Sequence, residues 1–121
     1  ARHMMLKIAW LVLAAIHALP ALALFRPAMI GQLYRVASDN PLFLLLHHRA
    51  ALFLVIFLLA VWAAFDPASR RMASVGVGVS MMSFLILYWS AGSPPPLKTI
   101  AMTDLVGIPF LIFVTWKAFA A

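Results

Sequence analysis

"PLFLLLHHRAALFLVIF", residues 41–57, begins an apolar run that continues to residue 64. A bilayer core of about 30 Å is crossed by about 20 apolar residues in a helix. Three consecutive polar residues, His47, His48 and Arg49, interrupt the run. Because a guanidinium among lipid tails is costly unless it finds a polar partner, the stretch predicts both a membrane span and a buried polar site.

The whole chain has the composition of a membrane protein. Of its 121 residues, 66% are hydrophobic and 10% are charged, whereas soluble domains are about 45–50% apolar. This length predicts a single integral membrane domain over residues 1–121 and leaves no room for a separate soluble catalytic domain. The absence of cysteine excludes disulfides and thiolate metal sites. The basic residues are scattered between apolar runs, which favours contact with anionic lipid headgroups over nucleic acid.

Four apolar stretches predict an all-α membrane fold, a bundle of four transmembrane helices that run up, down, up and down. The spans are expected at residues 5–24, 41–64, 70–91 and 97–118. Asn40-Pro41 and Asp66-Pro67 each place a capping side chain before a proline, so they predict where the second and third spans begin. The loop at 25–40 carries apolar residues at helical spacing, which predicts a short amphipathic helix on the membrane surface.

The N-terminal segment admits two interpretations. Residues 1–3 are expected to be a remnant of cloning. Lys7, the apolar run and the sequence Ala-Leu-Ala at 21–23 resemble a secretory signal, so the first span is either a signal segment or a retained helix. His17 and Pro20 interrupt the apolar core that a signal needs, and we expect a retained helix.

Lysine and arginine divide between the two ends of the predicted bundle. Four basic residues fall at the end that holds the termini: Lys7, Arg70, Arg71 and Lys117. Three fall at the opposite end: Arg26, Arg35 and Lys98. The excess at the first end predicts that both termini are cytoplasmic. Tryptophans are expected to anchor this end at the interface: Trp10, Trp62 and Trp116.

The ionisable residues inside the spans are predicted to form one layer. At about 1.5 Å per residue, Arg49 lies roughly 12 Å, Asp104 roughly 9 Å and His17 roughly 10 Å from the outer end of its span. Arg49 and Asp104 are expected to form an ion pair. The candidate ligand-binding residues in or beside this layer are His17, His47, His48, Arg49, Asp104, Tyr88, Ser83 and Thr103. The basic residues expected at the mouth of the site are Arg26, Arg35 and Lys98.

Span three also carries a stripe of small or polar residues along one helical face. Successive members are four, three, four and three residues apart: Gly76, Ser80, Ser83, Leu87 and Ser90. Small residues let helix backbones approach closely in membranes, so the stripe predicts tight packing against a neighbouring helix.

The predicted layer favours a binding function. Arg49 and the histidines suit an amphipathic or lipid-like ligand with an anionic head, and the site would open outward. A small enzyme, with a histidine as general base oriented by Asp104, is a less favoured form of the same interpretation, and no catalytic residue is assigned. The alternative is a structural or assembly protein whose buried ion pair only fixes helix packing.

The sequence also admits two further functions. A b-type haem would require His17 together with His47 or His48, and no cofactor is otherwise expected. A proton-coupled transporter would require a dimer to form a pathway. A metal site is not expected, because the guanidinium of Arg49 beside the histidines and Asp104 disfavours a cation such as zinc. The partners that the sequence admits are membrane lipid, a small amphipathic ligand and a second copy of the chain.

Several stretches of the sequence resemble a group of short four-span bacterial inner-membrane proteins. They are His17 with Pro20, LYRVASDNPLFLLLHHRAALF (33–53), SMMSF (80–84) and AMTDLVGIP (101–109). The resemblance covers nearly the whole chain and implies a four-span fold, a bacterial inner membrane and an unknown function. Members of the group are often labelled phosphopantetheine adenylyltransferase. The enzymes of that name have a soluble doubly wound fold and an H-x-G-H motif, which this chain lacks, so the resemblance does not imply that activity.

Overall fold

Four long helices and one short helix form the part of the chain that the structure describes. A computed structural model describes residues 2–120, except for the side chain of Arg2, and Ala1 of the expected cloning remnant lies outside this range. The helices are α1 (Arg2–Leu22), α2 (Ala28–Tyr34), α3 (Pro41–Phe65), α4 (Arg70–Ser90) and α5 (Lys98–Phe119). Single 3-10 turns at Pro67–Ser69 and Pro95–Leu97 lead into α4 and α5. No strand occurs among the described residues, which confirms the all-α class.

The four long helices coincide with the four predicted spans to within about one turn. Each is long and apolar enough to cross a membrane. The predicted caps are also found: the Asn40 side chain accepts a hydrogen bond from the backbone N–H of Leu42 at 3.0 Å. Asp66 accepts from the N–H of Ala68 at 3.2 Å and from Trp62 Nε1 at 3.0 Å. These local interactions explain why the helix starts were predictable from sequence.

The long helices pack as a ring, in which α1 contacts α3 and α5, and α4 contacts α3 and α5. Their main core is rich in alanine, including Ala60, Ala63 and Ala64 of α3, and small side chains permit close approach of the backbones. Gly107 of α5 has the same effect, because a Cβ there would lie 2.7 Å from both Ile16 Cδ1 and Met81 Cε.

Trp10 belongs to this core and is fully buried, so the prediction that it anchors the membrane interface is wrong. It lies on one helical stripe with Leu6 and Leu13, and that stripe faces the other helices. Its Nε1 has no hydrogen-bond partner in the described part of the chain. Trp62 and Trp116 are both exposed.

The short helix α2 lies in the connection between α1 and α3, where the sequence predicted a helix. Ile30 is its buried anchor and packs in a cluster with Ala23 and Ala50. Arg35 ends the helix in a left-handed conformation (φ 57°), and its N–H donates to the Gly31 carbonyl. This packing holds α2 against the start of α3 and brings its last residue, Tyr34, to the predicted polar layer.

Candidate ligand-binding site

The predicted polar layer is divided between two concave regions. The first, which we call the α1–α5 cavity, has a volume of about 430 Å³ and is lined by residues of α1, α2 and α5, with Phe53 from α3. The second, the α3–α4 groove, has a volume of about 420 Å³ and is lined by residues of those two helices. Phe53 contributes to the walls of both. His17 and Asp104 line the cavity, whereas Arg49 lines the groove.

His17 is the most deeply buried member of the predicted site, with 1% of its surface exposed. Its position four residues after Leu13 continues the buried stripe of α1, and its Nδ1 lies 2.8 Å from the Leu13 carbonyl oxygen. A carbonyl oxygen only accepts, so Nδ1 carries the proton and Nε2 of the neutral ring is an acceptor. Within residues 2–120, Nε2 has no hydrogen-bond partner. The ring contacts Phe53, with centroids 5.9 Å apart.

Asp104 lies near the start of α5 and is buried, with 9% of its surface exposed. It lines the α1–α5 cavity together with His17, and its carboxylate accepts no hydrogen bond from any described residue. The neighbouring Thr103 hydroxyl, which lines the same cavity, donates to the Thr99 carbonyl at 2.9 Å. The oxygen of Thr103 is therefore also an available acceptor.

Arg49 is half-buried, and three aromatic rings surround its guanidinium. The guanidinium carbon lies 4.4 Å from the ring centroid of Phe53, 5.4 Å from that of Phe84 and 5.7 Å from that of Tyr34. Its Nη1 donates a 2.8 Å hydrogen bond to the Tyr34 hydroxyl. These contacts satisfy only part of the guanidinium's donor capacity, because the group carries five N–H donors.

The expected Arg49–Asp104 ion pair is not formed. Asp104 is near enough to Arg49 for an electrostatic interaction. Within the described chain, however, the guanidinium donates its hydrogen bond to Tyr34. Phe53 contacts Arg49 and forms part of the wall of the cavity that contains Asp104. Counting residues along the helices predicts similar depths for the two charges, but it does not fix the rotation of each helix about its axis.

Tyr34 is the hydrogen-bond partner of Arg49 that the sequence interpretation missed. It lies four residues after the buried Ile30 on α2, so helical spacing alone would have placed it on the inward face. Burial raises the pKa of the Tyr34 hydroxyl above its ordinary value, although the charge and hydrogen bond of Arg49 oppose this rise. The hydroxyl therefore keeps its proton at neutral pH and has one hydrogen left to donate.

The two consecutive histidines face different surroundings, as the rotation of about 100° per residue requires. His47 is half-buried, and its Nε2 lies 3.0 Å from the Leu24 carbonyl oxygen. His48 is exposed. Neither lines the cavity or the groove, so His17 supplies the one imidazole of the described residues at the cavity. This arrangement does not fit a haem held there by two axial histidines.

The other predicted site residues also do not share one site. Ser83 is exposed and lines the groove, and its hydroxyl donates to the Ser80 carbonyl at 3.2 Å. Tyr88 is buried against Leu85 and Ala101 and stacks on Phe84. The predicted mouth residues are all exposed, and of these only Arg35 lines the cavity: Arg26, Arg35 and Lys98.

Most of the small-residue stripe of α4 lines the α3–α4 groove and does not pack tightly against a neighbouring helix. Gly76 contacts α3, since a Cβ there would lie 3.4 Å from Leu59 Cδ1. Ser80 and Ser83 line the groove, and Leu87 and Ser90 are exposed. The prediction of tight packing is therefore wrong for the half of the stripe nearest Arg49.

Grouped acidic, histidine or cysteine side chains suitable for a metal ion are not found in residues 2–120. No protein-family model matches the chain, and no curated protein or solved structure matches it. A function for the chain is therefore proposed from the chemistry of the groove and the cavity.

Proposed function

We propose that the chain is a multi-pass membrane protein that binds an anionic, amphipathic or lipid-like ligand. The head of the ligand binds Arg49, and its apolar part lies in the α3–α4 groove. The observation that carries this proposal is the state of Arg49: a guanidinium in an apolar helix, surrounded by aromatic rings, with a neutral hydroxyl as its hydrogen-bond partner.

The surface of the bundle supports a membrane environment. Large apolar side chains are exposed on the long helices, among them Leu44 (72%), Val79 (64%) and Ile112 (63%). Monomeric soluble proteins rarely expose contiguous apolar surface on this scale. Lipid tails would cover these side chains and remove the free-energy cost of their contact with water.

Contacts at the helix ends support the up-down-up-down arrangement. The Lys7 ammonium near the start of α1 lies 5.2 Å from the ring centroid of Phe65, the last residue of α3. Arg71 at the start of α4 donates a 2.9 Å hydrogen bond to the Ala118 carbonyl near the end of α5. These contacts favour antiparallel neighbours. The excess of basic residues at this end supports cytoplasmic termini, and the family resemblance supports a bacterial inner membrane.

An anionic head would complete the surroundings of Arg49. Cation–π contacts stabilise a guanidinium, but they supply no opposite charge. A carboxylate or phosphate accepts two parallel N–H bonds from an arginine, so such a head would use the donors that Tyr34 leaves free. The exposed Arg26, Arg35 and Lys98 would raise the local concentration of anionic lipid.

The α3–α4 groove suits the apolar part of the same ligand. Most of its walls are aliphatic or aromatic side chains, including Leu52, Val55 and Ile56 of α3. The Ser83 hydroxyl donates to the Ser80 carbonyl, so it is already paired within its own helix. The groove has a polar end at Arg49 and an apolar end near Gly76. This polarity matches an amphipathic molecule with one charged end.

Native mass spectrometry of the protein in lipid nanodiscs tests the proposal. Nanodiscs that contain equal amounts of phosphatidylglycerol and phosphatidylcholine should release wild-type protein with phosphatidylglycerol bound. Arg49→Gln should lose about tenfold in retained anionic lipid, as expected for one charge-assisted contact. Arg26→Gln is the matched control, because it removes an exposed charge that lines neither the groove nor the cavity.

Two outcomes would contradict the proposal. One is equal retention of the two lipids by the wild-type protein, which requires no variant and therefore does not depend on how Arg49→Gln folds. The other is an equal loss of phosphatidylglycerol from Arg49→Gln and Arg26→Gln, which would assign the preference to general surface charge.

A further inference from the structure

Three residues present hydrogen-bond acceptors to the α1–α5 cavity, whose lining also includes the hydroxyl of Tyr34 and the amide of Gln32. His17 presents Nε2 without a proton, because Nδ1 donates to the Leu13 carbonyl. Asp104 presents a carboxylate, and Thr103 presents an oxygen whose hydrogen is directed to the Thr99 carbonyl. The cavity therefore offers at least three acceptor groups on two of its walls, α1 and α5.

The two strongest of these acceptors belong to buried side chains, although the atoms themselves are not fully enclosed: among the described residues, the one fully enclosed side-chain nitrogen or oxygen without a partner is Trp10 Nε1. His17 is 1% exposed and Asp104 is 9% exposed. Neither the His17 Nε2 nor the Asp104 carboxylate has a partner among residues 2–120. Buried polar groups that lack a partner carry a desolvation cost, which is large for a charged carboxylate. A ligand that donates hydrogen bonds and carries positive charge would offset it.

We propose that the α1–α5 cavity binds a small molecule with a protonated primary amine and a compact apolar body. The ammonium has three N–H donors, so it pairs with the Asp104 carboxylate and also donates to His17 Nε2. The apolar body lies against Ile16, Ile100 and the ring of Phe53. The volume of about 430 Å³ falls within the range of small-molecule sites.

Two basic residues near the cavity oppose a cation, and neither prevents the pairing. Arg35 lines the cavity but is exposed, so solvent and salt screen its charge. Arg49 acts on Asp104 from the groove and gives it no hydrogen bond. The cavity and the Arg49 groove share Phe53, but their polar residues and the charges of their ligands differ, so the two proposals can fail separately.

Benzylamine, benzyl alcohol and benzoate have similar sizes but are positively charged, neutral and negatively charged, so they test whether the cavity prefers a protonated amine. Each is titrated into protein labelled with ¹⁵N-histidine in detergent micelles at pH 7, and the Nε2 resonance of His17 is followed. His17→Gln identifies that resonance. Benzylamine should give a saturable shift, benzyl alcohol should bind at least about tenfold more weakly, and benzoate should give no shift.

Asp104→Asn keeps the shape of the side chain and removes its charge, and it should weaken benzylamine binding by about tenfold or more. Asp39→Asn is the matched control, because it makes the same change at an exposed carboxylate that lines neither the cavity nor the groove, and it should leave the affinity unchanged. Three results would overturn the proposal: no saturable shift with benzylamine, equal affinities for benzylamine and benzyl alcohol, or unchanged binding by Asp104→Asn. The comparison of amine with alcohol uses the unaltered protein, so it remains decisive if Asp104→Asn does not fold.

Discussion

The hydroxyl of Tyr34 accepts a 2.8 Å hydrogen bond from Nη1 of Arg49, across the packing contact between α2 and α3. This bond joins the connection between two long helices to the charged residue inside one of them. It also leaves the charge of Arg49 without a bonded carboxylate in the described chain, which is the feature on which the proposed anionic ligand depends.

Tyr34→Phe should destabilise the protein by about 1.5–3 kcal/mol, the range for a hydrogen bond to a charged group. The variant keeps the aromatic ring beside the guanidinium and removes only the acceptor. Tyr88→Phe is the control, because the Tyr88 hydroxyl makes no hydrogen bond with the described residues although the side chain is buried. Unfolding in mixed micelles of increasing SDS content, followed by tryptophan fluorescence, measures both variants. Equal losses would mean that the Tyr34–Arg49 bond contributes nothing specific.

The adjacent histidines give a second matched comparison. His47→Ala removes the contact of Nε2 with the Leu24 carbonyl and should cost about 1–2 kcal/mol of unfolding free energy. His48→Ala alters an exposed side chain and should change stability by less than about 0.5 kcal/mol. The same SDS titration measures both. A larger effect at His48 would indicate that its exposed surface is covered by a partner or a second copy.

The parts of the fold that sequence predicts well are those that depend on local interactions. Span positions follow from runs of apolar residues, and the start of α3 follows from a cap formed by neighbouring residues, Asn40 and Leu42. The short helix α2 follows from apolar spacing, although its contact with Arg49 depends on tertiary packing.

The site was harder to predict because the position of a side chain depends on its depth along the helix and also on the rotation of the helix about its axis. Rotation about the axis decides which face a residue occupies, and it places Arg49 at the groove and Asp104 at the cavity. One contact was nevertheless available from spacing: Phe53 lies four residues after Arg49, so their side chains share a helical face. Spacing also excludes a shared site for His47 and His48, because adjacent residues of a helix point in different directions.

The helix cap at the start of α3 is testable with neighbouring residues. Asn40→Ala removes the acceptor for the N–H of Leu42 and should cost about 1 kcal/mol. Asp39→Ala changes an exposed side chain that makes no hydrogen bond among the described residues, and it should cost less than about 0.5 kcal/mol. Hydrogen exchange of the first turn of α3 gives a local measurement: faster exchange in Asn40→Ala but not in Asp39→Ala is the expected result. The reverse order would assign the cap to Asp39.

Two glycines test how tightly the long helices pack. At Gly107 an added Cβ would lie 2.7 Å from Ile16 Cδ1 and Met81 Cε, so both side chains must move. At Gly78 the nearest atom to an added Cβ is Leu111 Cδ1 at 3.9 Å, an ordinary contact. Alanine stabilises a helix relative to glycine by about 0.5–1 kcal/mol, and overpacking a core costs about 1–3 kcal/mol.

Gly78→Ala should therefore be neutral or stabilising, because the helical preference of alanine is not opposed by a clash. Gly107→Ala should be less stable than Gly78→Ala by about 1–2 kcal/mol, the lower part of the overpacking range, since the ends of Ile16 and Met81 are flexible. SDS unfolding of the two variants gives the difference directly. If Gly107→Ala is as stable as Gly78→Ala, then α1, α4 and α5 do not approach as closely as the contact at Gly107 requires.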